Sequence, residues 1–140
     1  MLTIIEKVIF LQNIDVFSEV QTEHLALLAS VAEEVTYKAG ETLYEINDPP
    51  DALYLVLTGR VRLHRGEETI AESGPKEALG VWALFDDSPR VVSATVLEDS
   101  ELLRIDHEDF VDLMADHVQI AQGVLKTVVT RLRGLAGRVS

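Results

Sequence analysis

The sequence predicts an α+β protein, mainly β: an antiparallel β-roll of the jelly-roll type, flanked by N-terminal helices and C-terminal helices. Three observations predict it. Apolar residues recur at helical spacing near both ends of the chain, whereas the middle breaks into short β-branched runs. Glycine, proline and asparagine punctuate that middle at close intervals, which suits hairpins and tight turns. The strand-like runs also follow one another without the long helical stretches that βαβ units require.

Taken in order, Leu2, Ile5, Val8 and Ile9 fall on one helical face, as do Leu25, Leu28, Ala29 and Ala32. Between them the stretch 13–20 mixes turn formers with Val16 and Phe17, which are expected to anchor the connection to a core. Candidate strands are Val35–Tyr37, Thr42–Tyr44, Ala52–Leu57, Arg60–His64, Thr69–Glu72, Val91–Leu97 and Leu102–Ile105. After Ile105 the helical rhythm returns. Asp106 with Asp109 three residues later resembles a capping arrangement, and Phe110, Leu113 and Met114 supply an apolar face. Ile120, Val124, Val128, Leu132, Leu135 and Val139 then form a narrow seam along a last helix of roughly 20 residues. Gly123, Gly134 and Gly137 weaken that helix by about 1 kcal/mol each in isolation. The 140 residues are expected to form one domain: helices over 1–34, the roll over 35–105 and helices over 106–140.

Composition narrows the function. At 47% apolar and 26% charged the chain reads as a folded globular protein. Cysteine is absent, which removes disulfide frameworks and thiolate metal sites. No leader-like segment and no run of 18 uncharged apolar residues is present, so the expected setting is cytoplasmic. The net charge of −12 is unevenly spread: all 24 acidic residues precede His117. The only charged side chains after it are Lys126, Arg131, Arg133 and Arg138. An acidic body repels a polyanion, so no nucleic-acid binding is expected of this chain alone. His24, His64, His107 and His117 form no closely spaced pair, and no nucleophile elbow or phosphate-binding Walker loop appears. No catalytic residue, required cofactor or metal is therefore assigned.

The most informative stretch is GVWALFDDSPRVV, from Gly80 to Val92. A glycine opens a short apolar turn of helix, a polar break follows, and Pro89-Arg90 leads into a β-branched run. Glycine lets a ligand approach the backbone closely, and a forked arginine returning over that turn can clamp an anion. Asp86 and Asp87 read as solvated turn residues or as partners for Arg90 rather than as a catalytic pair. Trp82 is expected to pack in the core rather than contact a ligand.

With these pieces in order, the chain resembles the cyclic nucleotide-binding domain family, in which catabolite activators and protein kinase A regulatory subunits are found. Tyr37–Tyr44 is similar to the family's first roll strands with their Ala-Gly-Glu turn, and Asp51–Val61 to its central segment. Gly80–Leu84 and Pro89-Arg90 resemble its phosphate-binding cassette. The resemblance implies a ligand site at Gly80, Val81, Trp82, Ala83, Arg90, Val91 and Val92, with cAMP or cGMP as the possible ligand. It also implies a departure. Val81 stands where the family has a glutamate that reads the ribose 2′-hydroxyl, and Val91 and Val92 stand where small residues are usual. A lost hydrogen bond to a charged group is worth about 1.5–3 kcal/mol, so weak or altered cyclic nucleotide binding is expected.

The expected role is a regulatory or sensor domain that homodimerises through Ile120, Val124, Val128, Leu132 and Leu135. Packing of that helix on its own roll is the other reading, and membrane contact through its basic residues is the least favoured. A ligand-free adaptor module and a sensor fragment of a transcription regulator stand as alternatives.

Overall fold

The computed structural model describes residues 1–81, 85 and 87–137. Two short helices, α1 (Ile4–Leu11) and α2 (Thr22–Val31), open the chain, joined through a 3-10 turn at Asp15–Phe17. Eight strands follow: β1 (Glu33–Tyr37), β2 (Thr42–Tyr44), β3 (Ala52–Thr58), β4 (Val61–Arg65), β5 (Glu68–Ser73), β6 (Ala78–Leu79), β7 (Ser93–Val96) and β8 (Ser100–Asp106). Helices α3 (His107–Asp116) and α4 (Val118–Gly137) close it. The strands make two antiparallel four-stranded sheets, ordered β1-β8-β3-β6 and β2-β7-β4-β5. This is the predicted roll between helices.

β3 shows how the layers are assembled. Its run ALYLVL is buried along its whole length because the strand is covered on both faces. Successive side chains alternate between those faces. Leu53, Leu55 and Leu57 join Leu103 and Ile105 of β8 against the helices, in a cluster with Leu11, Phe17, Leu25, Leu28, Phe110 and Ile120. Ala52, Tyr54 and Val56 point the other way, into the roll interior, with Tyr44, Val61, Leu79, Ala94, Val96 and Leu102. One strand therefore separates two apolar clusters, and Asp51, beside the candidate site, immediately precedes it.

The helix ends follow local chemistry. Thr3 and Glu6 exchange hydrogen bonds in a capping box at the start of α1. Asp106 caps α3, accepting from the Glu108 and Asp109 amides, so Asp109 itself contributes only its backbone N–H. On α1 the structure corrects the predicted face: Val8 and Leu11 are buried, while Ile5 and Ile9 are exposed. α1 packs mainly on α2, so its buried stripe is narrower than its apolar content. Val16 and Phe17 anchor the 3-10 turn as expected.

Two strand expectations also change. β6 is only two residues long, too short for a periodic signal, and is held by pairing with Tyr54 and Leu55. β7 starts at Ser93 rather than Val91. The Arg90 amide donates to Asp48 and the Asn47 amide donates to Arg90, at 2.8 Å each. That pairing ties residue 90 to the 47–48 turn and keeps Val91 and Val92 out of the ladder. Asn47 sits at φ 75°, a conformation asparagine tolerates better than other non-glycine residues.

Gly74–Glu77 forms a turn closed by the Glu77 amide donating to Gly74 at 3.1 Å, with Pro75 and Lys76 in the centre. Lys76 has φ 72°, where a glycine is ordinarily found in a type II turn. Its exposed side chain does not compensate for that strain. Lys76→Gly is expected to raise stability by about 0.5–1 kcal/mol, the left-handed penalty less the entropy cost of glycine. An upward shift of the urea midpoint checks this; a downward shift refutes it.

Candidate functional site

Arg90 is the buried charge of the roll, with a relative exposure of 7%. Such a group requires partners, and three elements supply them. The segment entering β3 brings Asp51, whose Oδ1 lies 2.9 Å from Nη2, and the Ala52 carbonyl, which accepts from Nη2 at 2.7 Å. β2 brings Tyr44, whose ring face lies 3.9 Å from the guanidinium carbon. The end of β6 brings Gly80. A Cβ at position 80 would lie 2.5 Å from Arg90 Nη1 and 3.2 Å from the Ala52 oxygen, and φ there is 72°. Glycine at 80 is thus required twice, by its conformation and by the arginine stacked against it.

The sequence reading brought Gly80 and Arg90 together correctly, but it missed the cage. Asp51, rather than Asp87, is the carboxylate on Arg90 among the described residues. Asp87 is fully exposed, with its Oδ1 3.9 Å from His107 Nε2, and Asp86 lies outside the described residues. Asp51 also reaches Arg104 through Oδ2 at 3.5 Å, and Arg104 meets Asp106 at 3.5 Å. Burial raises the Tyr44 phenol above its ordinary value, opposed by the Arg90 charge beside it. Burial likewise raises Tyr37, with the neighbouring Tyr54 phenol acting in the same direction.

One polar atom of this cage is unaccounted for. Arg90 Nε is buried and has no hydrogen-bond partner among the described residues. Nη2 is already hydrogen-bonded to Asp51 and Ala52, so Nε is the buried donor that remains for an incoming acceptor.

The other predicted site residues are dispersed. Val81 is half-buried and packs against the helical cluster, lining a cleft of about 430 Å³ with Asn13, Ile14, Val16, Lys76 and Arg131. Val91 is exposed, and its carbonyl accepts from Arg65 Nε at 3.1 Å. Val92 is half-buried. Trp82 and Ala83 lie outside the described residues. His64 is held by the Gly66 carbonyl at 2.8 Å and the Thr95 hydroxyl at 2.7 Å, which is a structural role within the sheet.

α4 borders the site region with two different faces. Ile120, Val124 and Thr127 are buried against the body, so the predicted seam is corrected at its first two positions. Gly123 makes that approach possible: a Cβ there would lie 3.0 Å from the Glu19 oxygen and the Val20 Cα. Ion pairs of Lys126 with Glu19, at 3.7 Å, and of Arg131 with Asp15 extend the same face. On the other side Leu125, Val128, Leu132 and Leu135 are exposed. An apolar cleft of about 530 Å³ opens between α4, Phe85, Met114 and Val16. Phe85 stacks edge-on against Phe110, with ring centres 5.5 Å apart. Val139 lies outside the described residues.

Gly80→Ala is expected to cost about 1–3 kcal/mol of stability, because a positive φ and a contact with Arg90 must both be relieved. Denaturant unfolding measures it, and an unchanged midpoint would contradict the packing of Arg90 on Gly80.

Comparison with known proteins agrees with this architecture. A family model described as cyclic nucleotide-binding domain matches residues 34–117. The cyclic AMP receptor protein of Thermus thermophilus is 34% identical over 122 residues, covering 84% of this chain and 56% of the relative. The chain spans about half the length of the curated transcriptional regulators it matches. Among solved structures, the N-terminal domain of a transcriptional regulator from Streptomyces coelicolor superposes with TM-score 0.79 at 34% identity, covering 86% of this chain and 90% of that one. The cAMP-bound regulatory domain of Toxoplasma gondii protein kinase A shares the fold, with TM-score 0.72 at 22% identity over 76% of this chain and 42% of that one. No helix of the described residues is long and apolar enough to cross a membrane. With the roll, the cassette glycine and its buried arginine in place, the chain belongs to the cyclic nucleotide-binding domain family.

Proposed function

We propose that the chain is a non-catalytic regulatory module that binds a small anion, a cyclic nucleotide with reduced affinity, against Arg90 and Gly80. The observation that carries this is the buried Arg90 Nε, a charged donor without an acceptor among the described residues. An unpaired buried donor costs about 1–3 kcal/mol, and an anionic ligand removes that cost on binding. Reduced affinity follows from Val81, whose side chain neither donates nor accepts a hydrogen bond.

The output runs through α4. Leu125, Val128, Leu132 and Leu135 are spaced 3, 4 and 3 residues apart, the repeat of a two-stranded coiled coil, and all four are exposed. A second copy of the chain is the partner this face fits, with Ile120 and Val124 serving internal packing instead. Nucleic-acid contact is assigned no part in this chain's role, since its net charge is −12. A cytoplasmic setting suits a chain without cysteine.

Titration calorimetry with cAMP and cGMP tests the ligand reading. Dissociation constants of about 10 µM or weaker are expected, and Arg90→Leu should abolish the heat. Sub-micromolar affinity would contradict the reduced site, and binding that survives Arg90→Leu would contradict the anion contact. For the partner, molar mass in solution should fall from dimer to monomer in Leu132→Glu; a wild-type monomer at high concentration would refute it.

A further inference from the structure

The cleft beside Phe85 and the cleft beside Val81 are neighbours, since Val16 and Arg131 line both. The first, of about 530 Å³, is walled by Phe85, Met114, Leu125, Val128 and Leu132, a size and lining that suit a small apolar ligand. Arg131 is the one charged side chain among its described lining residues, and no carboxylate is among them. The second, of about 430 Å³, is more polar and adds Lys76 as a further cation, with Asp15 and Glu77 as its acids. Both acids are engaged: Asp15 pairs with Arg131, and Glu77 accepts from the Gly74 amide at 2.8 Å. The Lys76 ammonium has no ion pair among the described residues.

Lys76 also stands where the backbone disfavours it. Its φ of 72° belongs to glycine, so this lysine is held at a cost in stability. A strained residue of that kind marks a position kept for its side chain. The net charge of −12 repels an anion in general, so any anionic head must be attracted by cations close to the cleft. The exposed pair of Arg131 with Asp15 is weak enough for another carboxylate to replace.

The geometry points to a site for a single-chain amphipathic carboxylate, a long-chain fatty acid. Its tail lies in the apolar cleft against Phe85 and α4, and its head reaches Arg131 and Lys76 across the shared wall. This site is separate from the Arg90 cage and does not depend on nucleotide binding there. Leu125, Val128 and Leu132 also belong to the α4 face assigned above to a second copy, so fatty acid and partner compete for the same side chains.

The experiment titrates laurate, below its micelle concentration, into the full 140-residue chain by calorimetry and ligand-observed NMR. Octanoate, four methylenes shorter, should bind about tenfold or more weakly. Dodecylamine, with a tail of the same length and a cationic head, should also bind about tenfold or more weakly, although the acidic body would favour it. Lys76→Gly and Arg131→Gln should each weaken laurate about three- to tenfold. Because Lys76→Gly is expected to stabilise the fold, its lost affinity reports the head contact and not unfolding. Laurate should also shift the molar mass in solution from dimer toward monomer. Equal binding of octanoate overturns the tail placement, as does a dimer that persists with laurate bound. Dodecylamine binding as tightly as laurate, or both variants binding laurate unchanged, overturns the head placement. Silence at millimolar laurate overturns the inference, and binding to phosphatidylglycerol vesicles without binding to free laurate overturns it in favour of a membrane surface.

Discussion

The structure is organised around one buried guanidinium. Placing a charge inside the roll costs several kcal/mol unless every direction around it is answered. Asp51 and the Ala52 carbonyl hold one nitrogen, Tyr44 covers the face, and Gly80 removes the side chain that would otherwise occupy the same space. These groups come from the entrance to β3, from β2 and from the end of β6. Fixing Arg90 therefore fixes how the two sheets meet at this end of the roll. It also fixes the chain after Arg90, whose backbone pairs with Asn47 and Asp48 before β7 begins.

The second organising element is β3, which faces the roll interior on one side and the helices on the other. Because Asp51 immediately precedes it, the arginine cage is attached to the strand that both clusters share. The helical layer meets the cassette through Val81 and through Phe85 on Phe110. α4 lies on that layer by close packing at Gly123 and by ion pairs at Lys126 and Arg131. An apolar cleft of about 530 Å³ lies between Phe85 and α4.

This arrangement separates two tasks that a ligand site usually combines. The proposed anion contact rests on Gly80 and Arg90, which also pack against each other. At position 81 an apolar residue joins the helical cluster. That valine contributes apolar contact between the cassette and the helices.

Much was legible in the sequence because it is written in local patterns. Turn residues set the strand boundaries to within a residue or two for β2, β3 and β4, the alternating and continuous apolar runs marked the strands, and Asp106 marked a helix start. The order of the Gly80 and Arg90 pieces marked the site. Tertiary structure alone decided the rest. Asp51 lies 39 residues from Arg90, and nothing in its neighbours distinguishes it from other surface carboxylates until the roll closes. β6 exists only because β3 offers it two backbone partners. On α1 and α4 the sequence supplied more apolar residues than one face needs, and which of them were buried depended on the partner surface: α2 took Val8 and Leu11, and the segment around Val20 took Ile120 and Val124. Periodicity determines that a helix has an apolar side; only the shape of what it meets determines which side that is.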